Sequence, residues 1–122
     1  MTREPAAFAS YLAAWSEQDP SRIRRHLDLS VAENVLFIDP ANTTVGPDEL
    51  ETLIRGTRVK VPTATYHRVS GVDGHNRMFR YLWEVRVDGQ CAMHGMDVTT
   101  LGASDRIESV YGFFGDFPAS GS

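Results

Sequence analysis

The chain is poor in the residues that covalent and metal cross-links require. It has one cysteine in 122 residues, Cys91, so it can form neither an intrachain disulfide nor a cysteine-based metal cluster. The four histidines, His26, His67, His75 and His94, have no regular ligand spacing, and we therefore expect no metal site. A hydrophobic core must hold the fold, and a hydrophobic content of 42% is ordinary for a globular domain.

Long apolar runs and clusters of positive charge are also missing. No stretch approaches the ~20 apolar residues of a membrane-spanning helix. The N-terminal segment contains Glu4 and Pro5 and lacks the apolar core of a signal peptide, so we expect a cytoplasmic protein. The 12 Lys and Arg residues are scattered and are outnumbered by 16 Asp and Glu, giving a net charge of −4. Nucleic acids and anionic membranes bind concentrated basic residues, so neither is an expected partner.

Helical spacing is present in the first half of the chain. Apolar residues recur at helical intervals across residues 8–15, which predicts a first helix. Asp19 followed by Pro20 is typical of the start of a second helix. Residues 46–47, Gly-Pro, predict the start of a third helix, and Gly56 predicts its end.

The remaining segments show the pattern of strands. Residues 33–38 form an apolar run that predicts a buried strand, and this strand stops at Asp39 before Pro40. After residue 62 the hydrophobic period changes to two, which predicts four strands, in residues 63–72, 77–87, 90–101 and 106–114, with a turn at 72–76. We therefore predict one α+β domain over residues 1–122, in which three helices pack on a curved, mixed, mostly antiparallel sheet. Residues 116–122 are predicted to be a flexible tail.

These segments together resemble the NTF2-like superfamily, in its SnoaL-like and ketosteroid-isomerase-like branches. The resemblance covers roughly residues 8–115 and rests on YLAAW, VLFIDP, VGPDEL, GMDVTTL and DRIESVYGFFG. It implies a cone of helices and sheet whose open end is a natural place for an apolar pocket. It does not fix an activity, because the superfamily includes isomerases, cyclases, dehydratases, epoxide hydrolases and non-catalytic binders.

The resemblance also implies a set of catalytic residues. Ketosteroid isomerase combines an aspartate base with a tyrosine and a protonated aspartate that bind the enolate oxygen. The matching positions are Asp39 for the base, with Tyr11 and Asp97 for the oxygen-binding pair. The implied reaction is abstraction of a proton α to a carbonyl, followed by isomerisation or aldol-type cyclisation of an apolar, steroid- or polyketide-like substrate. That chemistry needs no metal or organic cofactor.

Alternation along the strands predicts which other residues face the pocket. The face of His67 is left open, because its neighbours Tyr66 and Arg68 compete with it for burial. The predicted pocket residues, whose aromatic members suit a flat apolar ligand, are Trp15, Phe37, Leu53, His67, Tyr81, Trp83, Val110, Gly112 and Phe114.

The opposite face of the predicted sheet is unusually apolar for a surface in contact with water. We therefore expect a symmetric homodimer packed through that face. Its residues are Leu82, His94, Met96, Tyr111 and Phe113.

Each proposed catalytic residue also has a purely structural alternative. Asp39 would cap backbone amides in a turn, Tyr11 would be an ordinary helix-face aromatic, and Asp97 would pair with an arginine of a neighbouring strand. The chain would then be a non-catalytic ligand-binding or dimerisation domain. Epoxide opening is disfavoured in either case. The resemblance to the epoxide-hydrolase branch would imply an arginine two residues before Asp97, and this chain has Gly95 at that position.

Overall fold

A computed structural model of the chain describes residues 4–121, and the helices in it precede most of the sheet. No helix in this range is long and apolar enough to cross a membrane. The helices are α1 (Ala6–Ser16), α2 (Pro20–Asp28) and α3 (Gly46–Lys60). The strands are β1 (Val31–Ile38), β2 (Thr43–Val45), β3 (Thr65–Arg68), β4 (Asp73–His75), β5 (Met78–Val87), β6 (Gln90–Leu101) and β7 (Ile107–Phe114).

The second and third helices begin where the sequence predicts, but the third is longer than expected. At the start of α2, the Asp19 side chain accepts a hydrogen bond from the backbone N–H of Ser21 at 3.0 Å. The predicted end of α3 at Gly56 is wrong, because the helix continues to Lys60. A tertiary anchor in the last turn outweighs the ~1 kcal/mol by which glycine disfavours a helix.

That anchor is Arg58, which is buried and donates hydrogen bonds to three carbonyl oxygens. The acceptors are Trp15, at 3.3 Å in α1, Pro62, at 2.7 Å, and Ala64, at 2.5 Å, the last two in the segment before β3. The end of α3 is thereby fixed to the neighbouring helix and to the entry of the sheet.

The sheet is mixed and mostly antiparallel, as predicted. Its strand order is β2-β1-β7-β6-β5-β3, with β4 paired to β5, and only the β1–β7 pair is parallel among the residues described. Two details differ from the prediction. The strand expected over residues 63–72 is confined to β3, and residues 73–75 form β4 rather than a turn. The turn falls at Asn76 and Arg77, both with positive φ.

The two faces of the sheet differ in their surroundings. The inner face packs against the helices, and Val35, Tyr81 and Val110 on it are buried. The outer face leaves large apolar side chains in contact with water: Leu82 is 48% exposed and Phe113 is 55% exposed. The concave inner face is therefore the side on which an enclosed site can form.

Candidate active site

A cavity of about 180 Å³ lies between α1, α3 and the concave face of the sheet. About half of its lining residues are aromatic, and several of these rings are in contact. Trp15 packs on Phe37 and on Tyr66, with centroids 5.8 and 5.4 Å apart, and Trp83 meets Phe114 edge to face at 6.0 Å. The hydroxyl, amide and charged side chains in the described part of the wall are Tyr11, Asp39, Asn42, Thr57, Tyr66, Arg68, Tyr81 and Asp97.

Two of the predicted pocket residues lie elsewhere. His67 points away from the cavity, and its neighbours in β3 line the cavity instead. Its ring nitrogen is hydrogen-bonded to the Thr65 hydroxyl at 2.8 Å. Val110 is fully buried in the core and does not reach the cavity. The other predicted pocket residues line it, namely Trp15, Phe37, Leu53, Tyr81, Trp83, Gly112 and Phe114.

Asp97 is the most unusual group in the cavity. The Trp83 indole N–H donates to its Oδ1 at 2.9 Å, and the Tyr81 hydroxyl donates to its Oδ2 at 3.2 Å. Burial raises the pKa of Asp97 to about 6, the two hydrogen bonds oppose this rise, and the negative charge of Asp39 adds to it. The partners of Asp97 are thus neutral donors and not the arginine that its structural alternative invoked.

Asp39 lines the same cavity but is engaged in the turn that follows β1. Its Oδ1 accepts hydrogen bonds from the backbone N–H groups of Ala41 and Asn42, at 2.9 and 2.8 Å, and from the Asn42 side chain at 3.1 Å. This is an Asx-type turn, which the aspartate stabilises locally. The structural alternative for Asp39 is therefore present in the molecule.

Gly112 on β7 leaves room for the side chains of both Asp39 and Asp97 beside it. A Cβ atom placed on it would lie 3.3 Å from the Cβ of Asp39 and 3.3 Å from Oδ1 of Asp97. A side chain at this position would crowd both acids, so the glycine keeps the cavity floor open between them.

Two of the cavity's phenols, Tyr11 and Tyr81, lie close to Asp97. Tyr11, on α1, is only 4% exposed, and burial together with the Asp97 and Asp39 charges raises its pKa well above the ordinary value of 10. Burial and Asp97 likewise raise the pKa of Tyr81. Both groups therefore stay protonated at neutral pH and serve as hydrogen-bond donors.

Sequence reasoning did not assign Tyr66 and Arg68 to the cavity. Both lie on β3, on either side of His67, so they share the face that His67 does not. Arg68 forms an ion pair with Glu4, and its Nε atom is shielded from water without a hydrogen-bond partner in the described part of the chain. The only sequence signal for their burial was that they are two residues apart in a strand whose inward face could not be assigned.

Within residues 4–121, no group of three or more His, Cys, Asp or Glu is placed to hold a metal ion.

Solved structures with this fold are NTF2-like and cystatin-like proteins. An NTF2-like protein of unknown function from Exiguobacterium sp. 255-15 is 14% identical, the match covering 92% of this chain and 100% of that one, with a TM-score of 0.74. A provisionally assigned polyketide cyclase (protein SMa1630) from Sinorhizobium meliloti is 13% identical over 89% of this chain and 94% of that one, with a TM-score of 0.70. At these identities the likeness concerns the fold alone.

A more similar structure identifies the family. It is a provisionally assigned isomerase of the SnoaL-like family from Agrobacterium tumefaciens str. C58, 32% identical to this chain. The match covers 95% of this chain and 100% of that one, with a TM-score of 0.88. The chain belongs to the SnoaL-like family. No protein-family model and no curated protein matches it.

Proposed function

We propose that the protein is an isomerase that moves a proton from the α carbon to the γ carbon of an unsaturated ketone, so that the double bond shifts, with Asp97 as the base. The observation that carries this proposal is the setting of Asp97, a carboxylate in a mostly apolar cavity held by Trp83 and Tyr81. A carboxylate with a pKa of about 6 is largely ionised at neutral pH and is a stronger base than an ordinary aspartate.

This proposal departs from the roles that the resemblance implied, because the base is Asp97 and not Asp39. The Asp39 carboxylate is committed to the backbone amides of its own turn, whereas Asp97 accepts only from two side chains of the cavity wall. Moving a proton onto Asp39 would weaken the turn bonds that it accepts. We therefore assign Asp39 a positioning role, in which it shapes the turn after β1 and helps to keep the pKa of Asp97 high.

Tyr11 is the proposed donor to the enolate oxygen that forms when the proton leaves. Its hydroxyl lies in the same cavity, near enough for the Asp97 charge to raise its pKa, and it remains protonated. Such a preorganised donor is typically worth about 3–4 kcal/mol of the reaction barrier. Tyr81 is less suited to this role because its hydroxyl already donates to Asp97.

The size of the cavity favours isomerisation over cyclisation. Its volume of about 180 Å³ is close to that of an engineered cavity of about 150 Å³ that binds benzene. One or two rings fit such a space, whereas a polyketide chain folded for ring closure needs more. The proposed substrate is therefore a compact cyclic ketone or enone, smaller than the polycycle that the aromatic walls first implied.

The proposal is tested by deuterium exchange at the carbon next to the carbonyl of 2-tetralone, followed by NMR in D₂O. We expect the enzyme to accelerate exchange above the buffer rate. Its contribution should rise about tenfold per pH unit below pH 6 and level off above it, because only ionised Asp97 accepts the proton. Absence of any enzyme contribution would instead support the non-catalytic ligand-binding alternative.

We also propose that two copies of the chain pack through the outer face of the sheet. Leu82, Tyr111 and Phe113 lie on one side of neighbouring strands and are 48, 37 and 55% exposed. A twofold axis through this face would bring the same apolar side chains of both copies together.

Phe113→Lys is expected to weaken this dimer at least a hundredfold. Each dimer loses two phenylalanine side chains from its interface, at roughly 1.5–3 kcal/mol each. Sedimentation velocity over a concentration series measures the change. Val59→Lys is the matched control, because Val59 is 78% exposed on α3 and should leave the association unchanged. A wild-type protein that stays monomeric at tens of micromolar would contradict the proposal.

A further inference from the structure

Among residues 4–121, the cavity wall contains one cation, Arg68, and the proposed proton transfer does not use it. Its side chain is 24% exposed and lies on β3, where it pairs across the sheet with Trp83 of β5. Its only ionic partner among the residues described is Glu4, which precedes α1. In the described part of the chain, its Nε atom is shielded from water and has no hydrogen-bond partner. A buried donor without an acceptor is costly, so a further acceptor placed against the guanidinium would be stabilising.

We infer that Arg68 binds a carboxylate group of the substrate, and that the Glu4 carboxylate occupies this place when no substrate is bound. The inference names the substrate class of the site described above and rests on the proposed function for the reaction itself. The substrate would be a compact cyclic oxo acid, with its acidic C–H at Asp97 and its carboxylate at Arg68.

A carboxylate fits this position better than a phosphate. The planar guanidinium matches the two oxygens of a carboxylate, and its present partner is already a carboxylate. When a substrate carboxylate replaces the Glu4 carboxylate, the net charge around Arg68 stays the same. A phosphate would bring close to two negative charges into a cavity that already contains Asp39 and Asp97.

The positions of Arg68 and Asp97 also define the length of such a substrate. They lie on β3 and β6, which flank β5, so their strands are two spacings of about 4.8 Å apart. They are also offset by two residues along the strands, because Arg68 pairs with Trp83 and Asp97 pairs with Tyr81. Tyr81 of β5 lies between them, close enough to Arg68 for the guanidinium to lower its pKa slightly against the effect of burial. A one- or two-ring compound with the carboxylate and the ketone at opposite ends spans this distance.

The test compares two probes of equal shape, 2-naphthoate and 2-naphthamide, titrated by fluorescence. Arg68→Gln is expected to weaken naphthoate binding by at least about tenfold and naphthamide binding by less than threefold. Arg80→Gln is the matched control, because Arg80 pairs with Asp73 on the exposed outer face and should change neither affinity. Glu4→Gln should strengthen naphthoate binding several-fold, since it removes the competing carboxylate, and this result does not depend on the folding of the Arg68 variant.

An equal loss for both probes in Arg68→Gln, or unchanged naphthoate binding in both Arg68→Gln and Glu4→Gln, would overturn the inference. The reaction is tested separately by deuterium exchange of 2-tetralone, which carries no carboxylate. If exchange fails while the preference for naphthoate persists and depends on Arg68, the proposed reaction is wrong and the carboxylate site stands. If exchange occurs and naphthoate is not preferred over naphthamide, the proposed reaction stands and the carboxylate site is wrong.

Discussion

Asp97→Asn is expected to lower the enzyme-catalysed deuterium exchange of 2-tetralone by about 10²–10⁴-fold, the usual contribution of a general base. Asparagine has nearly the same shape and accepts the Trp83 N–H at its carbonyl oxygen, but it cannot take up a proton. The Tyr81 hydroxyl can rotate to accept from the new amide. The loss should therefore appear in the rate at saturating 2-tetralone more than in its half-saturation concentration.

The same variant should be more stable than the wild type above pH 6. The pKa of Asp97 is raised from 3.8 to about 6 on folding, so the stabilisation linked to its protonated form is full below about pH 3.8. That contribution, roughly 3 kcal/mol at about 1.4 kcal/mol per pKa unit, is lost as the pH rises through about 6. Urea unfolding of both proteins at pH 4 and pH 8 measures this difference. Between these pH values the wild type should lose the contribution of protonated Asp97 to the free energy of unfolding, and Asp97→Asn should not.

Asp39→Asn separates the two possible role assignments. It should retain exchange within about tenfold of the wild type and move the pH midpoint slightly lower, because one negative charge near Asp97 is removed. If Asp39→Asn abolishes exchange and Asp97→Asn does not, Asp39 is the base, as the resemblance to ketosteroid isomerase implied. Far-ultraviolet circular dichroism showing that both variants are folded at pH 8 would exclude unfolding as the cause.

Gly95→Ala is expected to destabilise the protein by about 3 kcal/mol, the upper end of the usual range for overpacking. Its Cβ would lie 2.1 Å from the carbonyl oxygen of Phe113 and 2.5 Å from the Trp83 ring. The carbonyl belongs to β7, so relief requires separating β6 from β7 or moving the indole away from Asp97. The clash also shows why an arginine, as in the epoxide-hydrolase arrangement, does not fit here.

Chemical denaturation of Gly95→Ala measures this effect, with Gly56→Ala as the control. Gly56 lies inside α3, and no neighbouring group comes within 4 Å of the place that an alanine methyl would take, so alanine should stabilise by about 0.5–1 kcal/mol. A Gly95→Ala protein as stable as the wild type would mean that the β6–β7 pairing and the Trp83 ring yield easily. The positioning of Asp97 by Trp83 would then be less rigid than proposed.

The parts of the fold that could be predicted are those in which a long periodic pattern or a local signal decides the structure. The ten residues of β5 alternate over their whole length, so the inward facing of Tyr81 and Trp83 followed from the sequence. Asp19 with Pro20 fixed the start of α2 through bonds within a few residues. Asp97, by contrast, was assigned to the site through the resemblance to ketosteroid isomerase, since burial along β6 does not alternate.

The parts that could not be predicted depend on contacts between distant residues. β3 has only four residues, too few for alternation to show whether His67 or its neighbours face inward. The pairing of Arg68 with Glu4 joins residues far apart in the chain, and no local pattern signals it. The extension of α3 likewise depends on carbonyl groups of other elements that Arg58 reaches only in the folded protein.

The parallel pairing of β1 with β7 has a consequence for how the protein is made. β7 is the last of the described strands in chain order, yet it lies between β1 and β6 in the sheet. Until residues 107–114 have been synthesised, β1 and β2 have no strand that connects them to β6, β5 and β3, and the floor of the cavity at Gly112 is missing. The pocket therefore cannot close before β7 is made, and a ligand bound in it cannot assist the earlier stages of folding.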